Sequence, residues 1–237
     1  MKIRKMYLII ASIVTALSII AFSVLFFHGG YDDKVLSKLG IKAQEAKTDW
    51  AVIAWESSLK QLHYDSDIAF IGDSITQGGD FQTYFPNKKV INLGYGGDTI
   101  VGMTQRVSML KNTSPEKVFV MVGINGLTNM NSAVCLETYS ALLDSVKEAV
   151  PEAEVYVQSI LPISAKKEKM LLCSNDTIKK FNKEIKKLSE ENKMTYIDLY
   201  SSFAQNGQMN ENLSADGLHL NSNGYEVWVD SIEDYIN

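Results

Sequence analysis

Cysteine and histidine are scarce in this sequence. The 237 residues include two cysteines, Cys135 and Cys173, and three histidines, with no CxxC motif and no Cys/His cluster. Zinc sites are built from cysteine and histidine ligands at close spacing, so this scarcity argues against a zinc site. The two cysteines could form one disulfide or remain two thiols, and the sequence leaves both possibilities open.

Basic residues are outnumbered by acidic ones. The chain has 28 acidic and 23 basic residues, and three of the basic ones (Lys2, Arg4 and Lys5) belong to an N-terminal segment that contains no acid. Nucleic-acid binding draws on an excess of lysine and arginine, so we expect no nucleic-acid partner. The lysine-rich runs at 166–169 and 183–187 are typical of solvated helix faces.

Charged residues are absent from the apolar run at 6–27. As a helix this run is about 33 Å long, close to the hydrocarbon core of a bilayer at about 30 Å. Basic residues precede it and Asp32 and Asp33 follow, which predicts a transmembrane signal anchor at 1–27 with a cytoplasmic N-terminus and an extracytoplasmic domain. A cleaved signal peptide, with a weak cleavage site at 21–23, is the alternative and would give a secreted protein. A buried soluble helix is a third reading.

The rest of the chain is interpreted as a polar linker at 28–49 and one domain at 50–237. A helix is predicted near residue 50, because Val52, Trp55 and Leu59 recur at helical spacing. We find no internal repeat and no low-complexity segment.

Short apolar runs alternate with helical patterns along this domain. Such alternation predicts an α/β sandwich around a parallel sheet of about five strands. The helix that begins near residue 98 is expected to have Asp98 as its cap. In folds of this class, ligands bind beyond the carboxyl ends of the strands. The five runs are DIAFIG (67–72), KVINLG (89–94), KVFVMVG (117–123), EVYVQSI (154–160) and MTYIDL (194–199).

Four polar motifs follow predicted strand ends: GDS (72–74), NLGYGGDT (92–99), VGIN (122–125) and DGLH (216–219). Each alone is explained by a turn or a helix cap. Of the three histidines, however, only His219 lies in a loop with an acid three residues before it. Taken together, the motifs supply the groups that a nucleophilic enzyme needs.

A serine hydroxyl is a poor nucleophile unless a base takes its proton. Ser74 is the candidate nucleophile, and His219 is the available base. A carboxylate on the other ring nitrogen would hold the imidazole in one tautomer, and Asp216 is the nearest candidate. The oxyanion then needs hydrogen-bond donors, which the backbone at Gly97, the side chain of Asn125 and the N–H of Ser74 could provide.

In this order, the motifs resemble those of the SGNH hydrolase superfamily, also called GDSL-type lipases and esterases. FIGDSIT (70–76) resembles the nucleophile block of that family, NLGYGGDT the glycine block, VGIN the asparagine block and DGLHL the Asp-x-x-His block. The likeness covers residues 50–237. It implies a flavodoxin-like three-layer α/β/α sandwich and a serine ester hydrolase that requires no cofactor and no metal.

The resemblance also assigns roles to the residues at the matching positions. Ser74 matches the nucleophile, His219 the general base and Asp216 the group that orients the histidine. Gly97 and Asn125 match the oxyanion hole, together with the Ser74 N–H.

One position departs from the family pattern. The family usually has aspartate after the block asparagine, and this chain has Gly126. The exchange removes no triad or oxyanion group, so activity is still expected. The shape of the loop at 123–130 is left open.

We therefore expect an extracytoplasmic serine esterase acting on a short acyl group. No long apolar lid segment separates the motifs, which favours acetyl over a lipid chain. The predicted location suggests O-acetylated carbohydrate or cell-envelope glycan as the substrate. The alternatives are a lysophospholipase or thioesterase, an O-acyltransferase using the same acyl-enzyme, and a catalytically inactive binding module.

Overall fold

The computed structural model describes residues 50–62, 64–129 and 132–236. The predicted transmembrane helix at 1–27 and the predicted linker at 28–49 lie outside these residues. Within the described ranges, no helix is both long enough and apolar enough to span a bilayer.

Five strands form one parallel sheet, as the alternating pattern predicted. The order across the sheet is β2-β1-β3-β4-β5, which is the flavodoxin-like order. Strand β1 therefore lies between β2 and β3, and its residue Ile68 pairs with Val90 on one side and Lys117 on the other. The strands are β1 (Ile68–Gly72), β2 (Val90–Asn92), β3 (Lys117–Met121), β4 (Glu154–Gln158) and β5 (Thr195–Ile197).

Helices cover both faces of the sheet, and every residue of β1 is buried, as expected when a parallel sheet is enclosed on both sides. Short connections, two two-residue strands and two 3₁₀ turns complete the described part. The helices are α1 (Trp50–Leu62), α2 (Ser74–Gln77), α3 (Phe81–Tyr84), α4 (Ile100–Arg106), α5 (Ser108–Lys111), α6 (Ile124–Asn129), α7 (Ser132–Ala149), α8 (Ala165–Leu171), α9 (Asn175–Glu191), α10 (Leu199–Phe203) and α11 (Ser222–Ile232). The small strands are β6 (Ala204–Gln205) and β7 (Gln208–Met209), and the turns are Glu211–Leu213 and Glu233–Tyr235.

Aromatic side chains fill the core on one face of the sheet. Phe70, Phe119 and Tyr156 stand side by side in register on β1, β3 and β4, with ring centroids 4.9 and 4.7 Å apart. Phe81 of α3 stacks on Phe70 at 3.8 Å, and Trp228 of α11 meets Phe81 edge-on at 5.2 Å. Such pairs add about 0.5–1.5 kcal/mol each beyond the burial of their area, so the sheet has a rigid centre beneath the end of β1.

The helix predicted to be capped by Asp98 begins one residue later. Thr99 is its cap, because the Thr99 hydroxyl accepts a hydrogen bond from the Gly102 N–H at 3.1 Å. The Asp98 carboxylate instead pairs with Arg106. The predicted single helix is also divided at Val107 into α4 and α5.

Cys135 and Cys173 are both buried. Burial, together with the neighbouring Cys173, raises the pKa of the Cys135 thiol to about 11. Reactive cysteines are thiolates at neutral pH, so Cys135 is a packing residue rather than a nucleophile.

Candidate active site

The first part of the site lies where the strand order reverses. Ser74 directly follows β1 and opens α2, and Asn125 lies in α6 just after β3. These two strands are neighbours in the sheet, and the crevice at such a reversal is where open α/β sheets bind ligands. Asp73 shapes the turn into α2, because its carboxylate accepts a hydrogen bond from the Ile75 N–H at 3.0 Å.

The structure brings Ser74, His219 and Asp216 together, although 145 residues separate the first two. The Ser74 hydroxyl oxygen lies 3.1 Å from Nε2 of His219. On the other side of the ring, Nδ1 lies 3.1 Å from Oδ2 of Asp216. A ring with the proton on Nδ1 would donate to Asp216 and accept the Ser74 proton on Nε2. This is the geometry that general-base activation of a serine requires.

Both oxygens of the Asp216 carboxylate have hydrogen-bond partners. Oδ1 accepts hydrogen bonds from the backbone N–H groups of Leu218, at 3.0 Å, and His219, at 2.8 Å. Oδ2 faces the imidazole and also accepts from the ammonium of Lys167 at 2.7 Å. Burial acts to raise the pKa of Asp216, but the Lys167 and His219 hydrogen bonds outweigh it and hold the pKa below its usual range. Asp216 is therefore ionised near neutral pH.

Lys167 was missed by sequence reasoning. The run at 166–169 was predicted to be a solvated face, and this is wrong for Lys167, which is buried. One signal was available, since Lys167 stands one helical turn before Leu171, the partly buried apolar residue of α8. Lys166 and Lys169, on other faces of the helix, are exposed.

Gly97 and Asn125, the predicted oxyanion-hole residues, lie next to each other. The Asn125 side-chain amide donates to the carbonyl oxygen of Asp98, at 2.8 Å, so it sits against the residue that follows Gly97. The glycine loop in turn reaches β1, because the Tyr95 N–H donates to the carbonyl of Gly72 at 3.0 Å.

Gly97 has a left-handed backbone with φ of +74°, and a Cβ added there would meet no atom within 4 Å. The glycine is therefore required by the backbone conformation, and its open side faces free space. Among the residues that the structure describes, the N–H groups of Gly97 and Ser74 donate to no protein acceptor. Both are available to an incoming oxygen.

A buried ion pair stabilises the glycine loop that contains Gly97. The Arg106 guanidinium contacts Asp98 through both Nε, at 3.0 Å, and Nη2, and its Nη1 donates to the Leu93 carbonyl at 3.0 Å. Burial raises the pKa of Asp98, and the charge of Arg106 works against this. Among the residues that the structure describes, Asp73 has no such cationic partner. Burial raises the pKa of Asp73 to about 7; the hydrogen bond from the Ile75 N–H opposes the rise, and the nearby Asp98 adds to it.

The packing around Gly126 explains the departure at this position. A Cβ added to Gly126 would lie 3.3 Å from Cδ1 of Ile100 and 3.5 Å from the sulfur of Cys135. A carboxylate there would enter apolar surroundings, where an ionised group is costly. Despite the glycine, Asn125 keeps its place against the Asp98 carbonyl.

Comparison with known proteins agrees with this geometry. Residues 70–227 match the model of the GDSL-like lipase/acylhydrolase family. A multidomain esterase from Ruminococcus flavefaciens is 27% identical over 135 residues, which are 54% of this chain and 17% of that protein.

Two solved structures share the fold at low sequence identity. One is named as an acylhydrolase, from Bacteroides fragilis, with a TM-score of 0.70, 22% identity and coverage of 81% of this chain and 98% of that one. The other is a GDSL-like lipase from Bacteroides thetaiotaomicron, with a TM-score of 0.66, 19% identity and coverage of 78% and 95%. Identities this low establish the likeness of fold alone.

Proposed function

The chain belongs to the GDSL-like lipase/acylhydrolase family of carboxylic ester hydrolases, and we propose that it is an extracytoplasmic serine esterase for short acyl groups. The observation that carries the proposal is the alignment of the Ser74 hydroxyl, both ring nitrogens of His219 and the Asp216 carboxylate, with 3.1 Å at each step.

In this mechanism, Ser74 attacks the ester carbonyl while His219 takes the hydroxyl proton. The N–H groups of Ser74 and Gly97 and the amide of Asn125 hold the oxyanion. His219 then gives its proton to the leaving alcohol, and Asp216 stabilises the imidazolium between these steps. Water, activated by the same histidine, hydrolyses the acyl-enzyme and restores the serine.

The acyl group is proposed to be short, with acetyl on carbohydrate or cell-envelope glycan as the substrate. Two features support this. No long apolar segment separates the motifs, and the His219 side chain is 44% exposed, so the site is open to a bulky polar alcohol. The same exposure admits a sugar hydroxyl as the acceptor, which keeps O-acyl transfer as the second candidate. The extracytoplasmic location rests on the apolar run at 6–27.

The test is hydrolysis of p-nitrophenyl acetate, butyrate and octanoate by the full chain and its Ser74→Ala and His219→Ala variants. The control is Ser145→Ala, at a partly buried serine of α7 whose hydroxyl donates to the Ala141 carbonyl. We expect acetate to be cleaved fastest and both site variants to lose about 10³-fold or more in kcat. The control should match the unsubstituted chain. Fluorophosphonate should label the chain and not Ser74→Ala.

Equal background rates for all four proteins would refute the proposed activity and favour a binding module. Fastest turnover of octanoate would instead favour a lipid substrate. Product analysis with an added glycan acceptor separates transfer from hydrolysis, because only transfer yields a new acetylated sugar. Protease treatment of intact and permeabilised cells tests the location, since an extracytoplasmic domain is cut in both.

A further inference from the structure

Lys167 of α8 is a lysine withdrawn from water next to the candidate triad. Its side chain is 11% exposed, and its ammonium lies 2.7 Å from Oδ2 of Asp216. An ammonium placed in such a position without a partner would be strongly unfavourable, so the carboxylate accounts for where the lysine lies.

The first turn of α8 is built onto the loop that bears the histidine. Ser164 caps the helix, because its hydroxyl accepts a hydrogen bond from the Lys167 N–H at 3.3 Å. The Ser164 N–H donates a hydrogen bond to the Gly217 carbonyl at 2.9 Å. Gly217 has a φ of +85°, and a side chain there would collide with Ser164. The helix and the loop therefore pack together only with glycine at this position. This packing fixes the backbone of Lys167 relative to Asp216.

One oxygen of Asp216 contacts both the ammonium and the imidazole. Oδ2 binds the Lys167 ammonium at 2.7 Å and Nδ1 of His219 at 3.1 Å. Two backbone N–H groups hold Oδ1, whereas Oδ2 belongs to a side chain that is 41% exposed and is anchored, apart from the imidazole, by the ammonium.

Resting on the proposed function, we infer that Lys167 is a positioning residue that holds Oδ2 of Asp216 against Nδ1 of His219. Without Lys167, the contact that remains at Oδ2 is the one with Nδ1 of His219, so the carboxylate is less firmly directed at the ring.

The test compares Lys167→Met, Lys167→Gln and Lys167→Arg with Lys169→Met, an exposed lysine of the same helix. Rates with p-nitrophenyl acetate are normalised to active sites counted by fluorophosphonate labelling. For Met and Gln we expect kcat to fall about tenfold with KM little changed. Arg should restore most of kcat, because its guanidinium can still donate to Oδ2, and Lys169→Met should change neither kcat nor KM.

A double variant shows whether Lys167 acts through Asp216. In an Asp216→Asn background, Lys167→Met should lower kcat by less than about twofold further, because its target is already lost. The inference is overturned if kcat of the labelled sites stays as in the unsubstituted chain, even where the variant unfolds more easily. If Met does not fold, Gln gives the same reading. Should Ser74→Ala remain active, the proposed function itself fails, and that result does not depend on any Lys167 variant.

Discussion

Two ion pairs flank the candidate site, and they differ in their access to water. Arg106 and Asp98, behind the glycine loop, have side chains that are 9% and 7% exposed. Lys167 and Asp216, beside the histidine, are 11% and 41% exposed. The first pair has lost the hydration of both groups, whereas the second keeps water on its carboxylate.

This difference in exposure predicts different roles for the two ion pairs. A closed pair is costly to break, because the remaining charge is left buried and unpaired. A half-exposed pair contributes little to stability, since water replaces the lost partner, but it can fix the direction of a side chain. Arg106 therefore stabilises the glycine loop beside the nucleophile, while Lys167 orients the carboxylate beside the histidine.

The largest expected effect comes from breaking the closed pair. Arg106→Met leaves the Asp98 carboxylate buried and also removes the hydrogen bond to Leu93. We expect a loss of about 3–5 kcal/mol in the free energy of unfolding. Lys167→Met should lose about 1 kcal/mol or less. Urea denaturation at pH 7 measures both variants.

The double variant Asp98→Asn with Arg106→Met is the control for this result. It removes both charges, so it should recover a large part of the stability that Arg106→Met loses. Equal losses for Arg106→Met and Lys167→Met would show that exposure does not separate the two pairs, and the comparison would fail.

A smaller effect concerns pH and the buried carboxyl of Asp73. Its pKa of about 7 in the folded protein lies above the ordinary 3.8, so the folded state binds this proton more tightly than the unfolded state. The stabilisation is complete below about pH 4 and is lost as the pH rises towards 7. Asp73→Asn cannot ionise, and its side-chain oxygen can still accept from Ile75. Relative to the unsubstituted chain it should gain about 1–3 kcal/mol between pH 5 and pH 8.

Urea denaturation across this pH range gives the measurement. Asp198→Asn, at the exposed cap of α10, is the matched variant, because Asp198 also accepts a backbone N–H, from Ser201 at 3.2 Å. The quantity compared is the difference between the two variants in the free energy of unfolding, followed as the pH rises. A difference that stays constant from pH 5 to pH 8 would contradict a raised pKa at Asp73.

Sequence periodicity was enough to predict the parallel sheet and the place of Ser74 after β1, because strand period is a local signal and the carboxyl ends of parallel strands meet at one edge. The prediction that DGLH (216–219) follows a strand end is wrong, since the motif comes after the turn Glu211–Leu213. Asp216 and His219 were identified by the order of the motifs and not by their position after a strand. The roles of these residues, and the location of the domain, stay predictions until activity and topology are measured.

The supporting residues could not be predicted in the same way. Lys167 meets a carboxylate 49 residues further along the chain, and composition alone makes a lysine in a lysine-rich helix a surface residue. The cap of α4 was wrong by one residue because Asp98 and Thr99 are both good caps. The choice was decided by Arg106, which lies eight residues on and takes the Asp98 carboxylate.

The smallest expected effect on stability comes from substituting Gly97. This substitution is also expected to affect kcat more selectively than the others. Gly97→Ala places alanine at a φ of +74°, which costs about 1 kcal/mol. Gly207, in the turn between β6 and β7, offers a matched site with a φ of +79° and no atom nearer to an added Cβ than Lys179 Nζ at 3.9 Å. Both alanine variants should therefore lose the same stability.

Their activities should differ. In Gly97→Ala the new methyl group occupies the open side that the proposed oxyanion would approach, so kcat for p-nitrophenyl acetate should fall about tenfold or more. Gly207→Ala should retain full kcat. If both variants lose rate alike, the loss reflects general loosening of the fold. If neither does, the Gly97 N–H is not an oxyanion donor, and Ser74 and Asn125 must carry that role alone.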